Sequence, residues 1–413
     1  MAGTVYINPT AKAGGTGTQA SPYNSWAQVN FTAGTTYLQA AGTTYAGAVY
    51  VGTKATAAAP IVIGSYGTGA APVINGGVTF DGATYVSFSG FQVTNSTGAG
   101  IVLENGANDV TISGNTITSS AMGIWIGNAA GTTNTIQGNT ISNNAQYGIA
   151  MNEVTGSGTV ISNNVVTGNG LDGINIDGNQ FTVKNNTVTD NGLSDFGSSG
   201  IHIYASSATD TFGAFNVITG NVCTNNHDFY EEDGNGIESD QWTHDNTISD
   251  NFCYANDGAG IILYDSYNNT VSDNDIGGND LDPDHTHTTM GDLCLNTLLG
   301  LTNDNTIQGN AILSTSSVAP AIFVLGSNNT FLSNVIENLA GGPIYDWQGL
   351  IGAQTTGWGQ YTSSTNTPSG VPLTAPPAGV TPSFLFPTGA TVTLDGKVVT
   401  LVGWAPGYGL LGG

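Results

Sequence analysis

Nine β-branched pentads in this chain close on an asparagine: TISGN (Asn115), TIQGN (Asn139), VISNN (Asn164), TVKNN (Asn186), VITGN (Asn221), TISDN (Asn251), TVSDN (Asn274), TIQGN (Asn310) and TFLSN (Asn334). Subtraction gives spacings of 24, 25, 22, 35, 30, 23, 36 and 24 residues, a basal period near 22 to 25 with three insertions. A period of that size marks a solenoid, in which a unit too small to bury its own apolar face stacks on the next. Each copy holds the pentad, an Asn turn, a second short strand and a third of the form Gly-Ile-x-Ile-x. Three short strands per turn predict an all-β chain wound as a single-stranded parallel β-helix, with the asparagines stacked as a hydrogen-bonded ladder. Turn chemistry alone accounts for those asparagines, so no catalytic role is expected of them.

The repeat organises the rest of the chain. Residues 1–80 read as an N-terminal cap and first coils, with Ser21 as N-cap and Pro22 opening a short helix around Trp26 that covers the open end. Residues 81–349 are the repeat domain. Residues 350–413 turn rich in Gly, Pro and Thr, which reads as a strap, and end in TVTLDGKVVTLV, where Asp395-Gly396 signals a β-hairpin. That tail is not an independent domain; its hairpin could cap the last coil or join copies into a homo-oligomer.

Charge narrows the partners. The 413 residues carry 29 acidic and 4 basic side chains, all lysines, for a net charge of −25. Nucleic acid and anionic membrane require clustered cations, so neither is an expected partner. A polyuronate would need a bound cation, since no arginine can clamp its carboxylates. Cys223 and Cys253 hold equivalent positions in successive copies and are expected to stack as buried thiols. No apolar run is long enough to span a membrane, and no signal peptide opens the sequence. An extracellular location is expected, with an export signal trimmed or lying outside this stretch.

Aligned on Gly-Ile, the third strands start at Gly100, Gly123, Gly148, Gly173, Gly200, Gly236 and Gly260. Side chains alternate faces along a strand, so the Ile column points inward and its neighbours outward. One outward column is Val102, Trp125, Ala150, Asn175, His202, Glu238, Ile262; the other is Glu104, Gly127, Asn152, Asp177, Tyr204, Asp240, Tyr264. Asp177, His202, Tyr204, Glu238, Asp240 and Tyr264 thus gather on one face within four coils.

Coil stacking and strand rise put Glu238 and Asp240 roughly 7 Å apart at Cα and Asp177 about 10 Å from Asp240. Such pairs suit glycoside hydrolysis, with the wider inverting spacing favoured over the retaining one. Crowded acids drive their pKa values apart, so Glu238 is the expected general acid and Asp240 or Asp177 the base, with His202 and Tyr204 beside them. Trp125, Trp242, Tyr204 and Tyr264 offer flat faces for sugar rings, and Asn152, Asn175, Glu232, Asp233 and Asp265 offer polar contacts. Hydrolysis of this kind needs no cofactor. The plainer alternative is a solvated face that is acidic because the whole protein is. Separately, Asp280, Asp282 and Asp284 form a D-x-D-x-D string suited to Ca²⁺, although His285 stands where an EF-hand requires Gly.

With its coils, the lead-in YINPTAKAGGTGTQASPYNSWAQV and the PVINGG that opens them, the chain resembles the right-handed parallel β-helix repeat proteins over about residues 4–350. That broad, pectate-lyase-like group contains extracellular pectate lyases, polysaccharide hydrolases and mannuronan C5-epimerases, and the resemblance implies right-handed winding and a polysaccharide partner. The arginine on which many pectate lyases depend is absent. The Asp-Pro-His-Glu motif of the epimerases is replaced by Asp282-Pro283-Asp284-His285. The leading expectation is therefore a hydrolase of a neutral or weakly charged glycan. A polyuronate lyase or C5-epimerase using Tyr204 and His202 with Ca²⁺ is the alternative, and a non-catalytic glycan-binding solenoid the third.

Overall fold

The computed structural model describes residues 3–400 apart from 96, 128–129, 195–196, 229–232, 282–290, 317–318, 339–343, 347–390 and 395–396. Two compact units emerge, residues 1–170 with 175–186, and residues 171–174 with 187–413. Each is built of parallel strands in three sheets, the all-β parallel helix expected from the repeat.

In the first unit the pentad strand Asn108–Ser113 pairs with Thr84–Ser89 on one side and Thr135–Gln137 on the other. The second strands follow suit, Thr116–Thr118 lying between Gln92–Thr94 and Thr140–Ser142. So do the Gly-Ile strands, Met122–Ile126 lying between Ala99–Glu104 and Ile149–Thr155. The second unit repeats the plan: Thr247–Ser249 between Val217–Thr219 and Thr270–Ser272, Phe252–Tyr254 between Val222–Thr224 and Asp275–Gly277, Ile237–Ser239 between Ile201–Ile203 and Ile261–Tyr264.

Alternation places the cores as expected. Ile101, Ile124 and Ile149 in the first unit, and Ile201, Ile237 and Ile261 in the second, are fully buried. The glycine before each isoleucine reflects close approach: a Cβ on Gly236 would lie 2.5 Å from the carbonyl oxygen of Gly260, well inside contact distance. Cys223 pairs in register with Cys253, and both are buried free thiols.

The asparagine ladder is present at the bends. Asn251 donates its backbone N–H and its amide Nδ2 to Asn274 Oδ1 at 2.9 and 3.0 Å, gives Nδ2 also to the Ile218 carbonyl at 2.9 Å, and accepts both donors of Asn221 at Oδ1. Asn115, Asn139, Asn164 and Asn186 repeat this in the first unit. Every buried amide hands its neighbour a partner, which the cost of an unsatisfied buried polar group demands. Two more such ladders run through the second unit, Asn216–Asn246–Asn269–Asn305–Asn329 and Asn191–Asn226–Asn256–Asn279, the latter ending on Asp292.

One expectation at the N-terminus fails. No α-helix starts at Ser21–Pro22; a single 3-10 turn, Trp26–Gln28, is capped by Ser25. The backbone around Ser21 is committed to bridges instead, Thr18 with Ser21 and Ile7 with Tyr23. Trp26 is still buried, its indole N–H donating to Gln39 Oε1 at 2.6 Å. The C-terminal hairpin is present, Thr391–Leu394 antiparallel to Lys397–Thr400.

Candidate active site

In the second unit the register aligns His202 with Glu238, Glu238 with Ile262, Ile262 with Cys294 and Cys294 with Phe323. All five point away from the isoleucine core. They are not the open face that alternation alone suggests: His202 is 7% exposed, Glu238 4%, and Ile262, Cys294 and Phe323 pack with Ala259 into a second apolar cluster flanked by Tyr264 and Leu325. Accessibility at this site belongs to its rim, where Asp240 keeps a fifth of its side chain exposed and Tyr204 36% of its surface.

The imidazole of His202 is held between two carboxylates, Nδ1 at 3.3 Å from Asp172 Oδ2 and Nε2 at 3.6 Å from Asp240 Oδ2. These are ion-pair contacts rather than aligned hydrogen bonds. Burial alone would lower the His202 pKa, but Glu238, then Asp172, outweigh it and raise the group well above its ordinary 6.5. Glu238 is anchored through one oxygen, Oε2, which accepts from Ser199 Oγ at 2.7 Å and Asn235 Nδ2 at 3.1 Å. Burial, with Asp240 adding to it against His202, raises the Glu238 pKa. Asp233 is pushed well above the carboxylate range by burial and then by Glu238, while Asp228 accepts its backbone N–H at 2.8 Å.

Sequence reasoning missed Asp172, Ser199 and Asn235. These are the residues immediately before successive Gly-Ile pairs, positions that in earlier coils hold Ala99, Met122 and Tyr147. The switch from apolar to polar at that one position was the available signal. Each ties one coil to the next: Asp172 Oδ1 accepts the Ser199 N–H at 2.6 Å, and Asn235 Oδ1 accepts the Ala259 N–H at 2.8 Å.

Of the expected site residues, His202, Glu238, Asp240 and Asp233 are brought together, with Tyr204 edge-on to His202 at 5.9 Å between ring centroids. Tyr264 belongs with them, its pKa raised by burial and then by Asp265, Asp240 and Asp233. Trp242 sits half-buried in the bend that follows, at φ 65°. Asp265 is a correction: it is fully buried, and its carboxylate binds Thr297 Oγ1 and the backbone N–H groups of Leu298, Leu299 and Leu301, which makes it a loop anchor rather than a sugar contact. Trp125, Asn152, Asn175 and Asp177 are residues of the first unit, Asn152 exposed and the others half-buried. Glu232 lies outside the described residues.

One oxygen each of Glu238 and Asp240 and one nitrogen of His202 lie within 4.8 Å of one another. Single oxygens that close are compatible with the ~5–5.5 Å between the carboxyl groups of a retaining pair. The same three side chains could converge on a divalent transition ion, for which an imidazole with two carboxylates is a suitable donor set. The calcium expectation lies elsewhere: Asp280 is buried, with Oδ2 accepting the Gly291 N–H at 2.7 Å, while Asp282 and Asp284 are outside the described residues.

The sequence matches the right handed beta helix region family over residues 76–244 and 216–356. No curated protein matches it. Among solved structures, the A-module of the Azotobacter vinelandii mannuronan C-5 epimerase AlgE4 is similar with TM-score 0.57 and 18% identity, covering 85% of this chain and 99% of its own. The GH136 lacto-N-biosidase of Eubacterium ramulus gives TM-score 0.57 and 14% identity over 82% of this chain and 68% of its own. Pectate lyase Pel9A gives 0.50 and 17% over 90% and 89%. At these identities the likeness is one of fold.

Proposed function

This chain belongs to the right-handed β-helix family, and we propose that it is a polysaccharide-active enzyme working outside the cell, a retaining glycoside hydrolase in which Glu238 donates the proton and Asp240 is the nucleophile. The observation that carries the reading is the approach of one oxygen of each carboxylate to within 4.8 Å, with one group buried and the other at the accessible rim. The named activities of the structural neighbours, an epimerase, a biosidase and a lyase, support a saccharide substrate.

The roles follow from the surroundings. Ser199 and Asn235 both donate to Glu238 Oε2, so Oε1 is the oxygen left to carry and pass the proton, toward which burial biases the group. Asp240 attacks the anomeric carbon as the glycosidic C–O bond breaks, and the Glu238 proton passes to the departing oxygen. Water then attacks the glycosyl ester, returning its proton to Glu238 and freeing Asp240. His202, protonated between Asp172 and Asp240, positions the nucleophile with a fixed positive charge. Lys184 and Lys397 are consecutive among the lysines and the sequence holds no arginine, so residues 185–396 supply no lysine or arginine to clamp a polyuronate and a neutral glycan fits better.

Tyr204 against His202 favours a second reading, proton exchange at C5 of a uronate, which would need an added cation. A polysaccharide screen separates the two. Hydrolysis releases reducing ends without ultraviolet-absorbing unsaturated products and survives EDTA. Products that absorb, or activity that EDTA abolishes, would remove the hydrolase reading.

A further inference from the structure

The bend after the site strands contains a residue that its backbone does not favour. Phe215, Asp245, Asn268, Asp304 and Asn328 occupy one column of the second unit with φ of 58°, 54°, 56°, 56° and 56°. The column is fixed by backbone bonds from each residue to the carbonyl one coil on, Phe215 to His244, Asp245 to Tyr267, Asn268 to Asn303 and Asp304 to Ser327. Asn and Asp tolerate this left-handed region, whereas a bulky side chain there is strained. Burial does not repay that cost, because Phe215 is 54% exposed.

Its ring instead begins a stack. Phe215 meets His244 edge-on at 5.8 Å, and His244 lies flat on Tyr267 at 4.9 Å and 15°. Asp245 Oδ2 holds His244 Nδ1 at 2.6 Å and fixes the middle ring. Ala214, His244 and Tyr267 are bridged in parallel, so the rings follow the coils one by one. His244 lies four residues beyond Asp240 in the same coil, so the stack continues directly from the proposed catalytic strand.

We propose that Phe215, His244 and Tyr267 form an aromatic ridge that binds pyranose rings of the glycan remote from the cleaved bond. The inference rests on the hydrolase reading and extends it to a second set of sugar contacts. Rings with imidazole and carboxylate groups beside them match a ligand whose faces are apolar C–H and whose edges are hydroxyls. A strained aromatic held in the open is the pattern expected where binding, not folding, keeps the residue in place.

The test uses Phe215→Gly and Phe215→Asn, both suited to φ near 58°. Each should melt at or above the native temperature, because backbone strain is relieved. Each should raise KM for the polymer the native protein cleaves by roughly five- to twentyfold, as loss of one exposed aromatic contact does. Turnover of an aryl glycoside too short to reach the bend should be unchanged. Affinity electrophoresis through gels of xylan, β-glucan, mannan or chitosan gives the binding readout, with Tyr267→Ala as a second variant. Native mobility slowed by one of these gels and restored in the variants supports the ridge. Unaltered KM and mobility in the variants, no retardation of the native protein in any gel, or a lower melting temperature with equal losses on short and long substrates would overturn it. The hydrolase reading fails separately, if Glu238→Gln keeps full activity.

Discussion

Replacing Asp172 by Asn tests the electrostatic frame of the site. Asp172 Oδ2 stands 3.3 Å from His202 Nδ1, and at an effective dielectric of about 20 that pair is worth roughly 4–5 kcal/mol. The substitution keeps an oxygen to accept the Ser199 N–H, now at 2.6 Å, so the strand junction survives. Its amide nitrogen turns a donor toward Nδ1, which forces a neutral imidazole with its proton on Nε2. The folded-state pKa of His202 is raised, so its contribution to stability is complete below the ordinary value of 6.5 and disappears as pH rises through the native value. Asp172→Asn should therefore lower stability by about 3–5 kcal/mol near pH 6, the range for breaking a buried ion pair, and progressively less at alkaline pH. Urea melts at the two pH extremes read the stability, and nitrogen-15 NMR of the five histidines reads the His202 titration directly. The alkaline limb of the activity profile should move to lower pH in parallel. A His202 titration unaltered by the substitution, or a stability loss equal at both pH extremes, would refute the reasoning.

Other outcomes follow from the same structure. Asn251→Ala removes the amide that serves Asn274 and Ile218 and takes the Oδ1 acceptor from the Asn221 backbone N–H, while Asn221 Nδ2 keeps the Thr219 carbonyl, so thermal or urea unfolding should show a loss of about 2–4 kcal/mol, at ~1–3 kcal/mol for each buried group left unsatisfied. Burial, then Asp250, raises the Asp275 pKa to about 8. An acid with a raised folded pKa loses stability as pH climbs above its unfolded value of 3.8, so Asp275→Asn should stabilise by about 2–4 kcal/mol at pH 7 and by nothing near pH 3, a difference urea melts will show. The close approach of Glu238 and Asp240 predicts that the first-formed sugar keeps its anomeric configuration, which proton NMR of an early time point reads; inversion would exclude Asp240 as the nucleophile.

The coils were legible because the pentad spacing admits few other folds. The spacings 30, 23, 36 and 24 recur five residues earlier at Asn216, Asn246, Asn269, Asn305 and Asn329, so a second ladder could have been read from the same strings. Alternation correctly put His202 and Glu238 in one column, but direction is not exposure. The apolar continuation of that column, Ile262, Cys294 and Phe323, was the sign that this face is covered. Asp265 reads in sequence like its neighbours Asp240 and Tyr264; only the loop Leu298–Leu301 folding over its carboxylate separates anchor from contact. The helix expected at Ser21–Pro22 lost to pairing with Tyr6, since Tyr23 N–H is taken by the Tyr6 carbonyl at 2.9 Å.

The role of Glu238 as proton donor is the central claim, and one comparison tests it most directly. Glu238→Gln should be assayed on the natural glycan and on an aryl glycoside whose phenolate leaves without protonation. The account predicts a loss of about 10²–10⁴-fold on the glycan and a much smaller one on the aryl substrate, because only the first needs the proton. Equal losses on both substrates, or none on either, would contradict it.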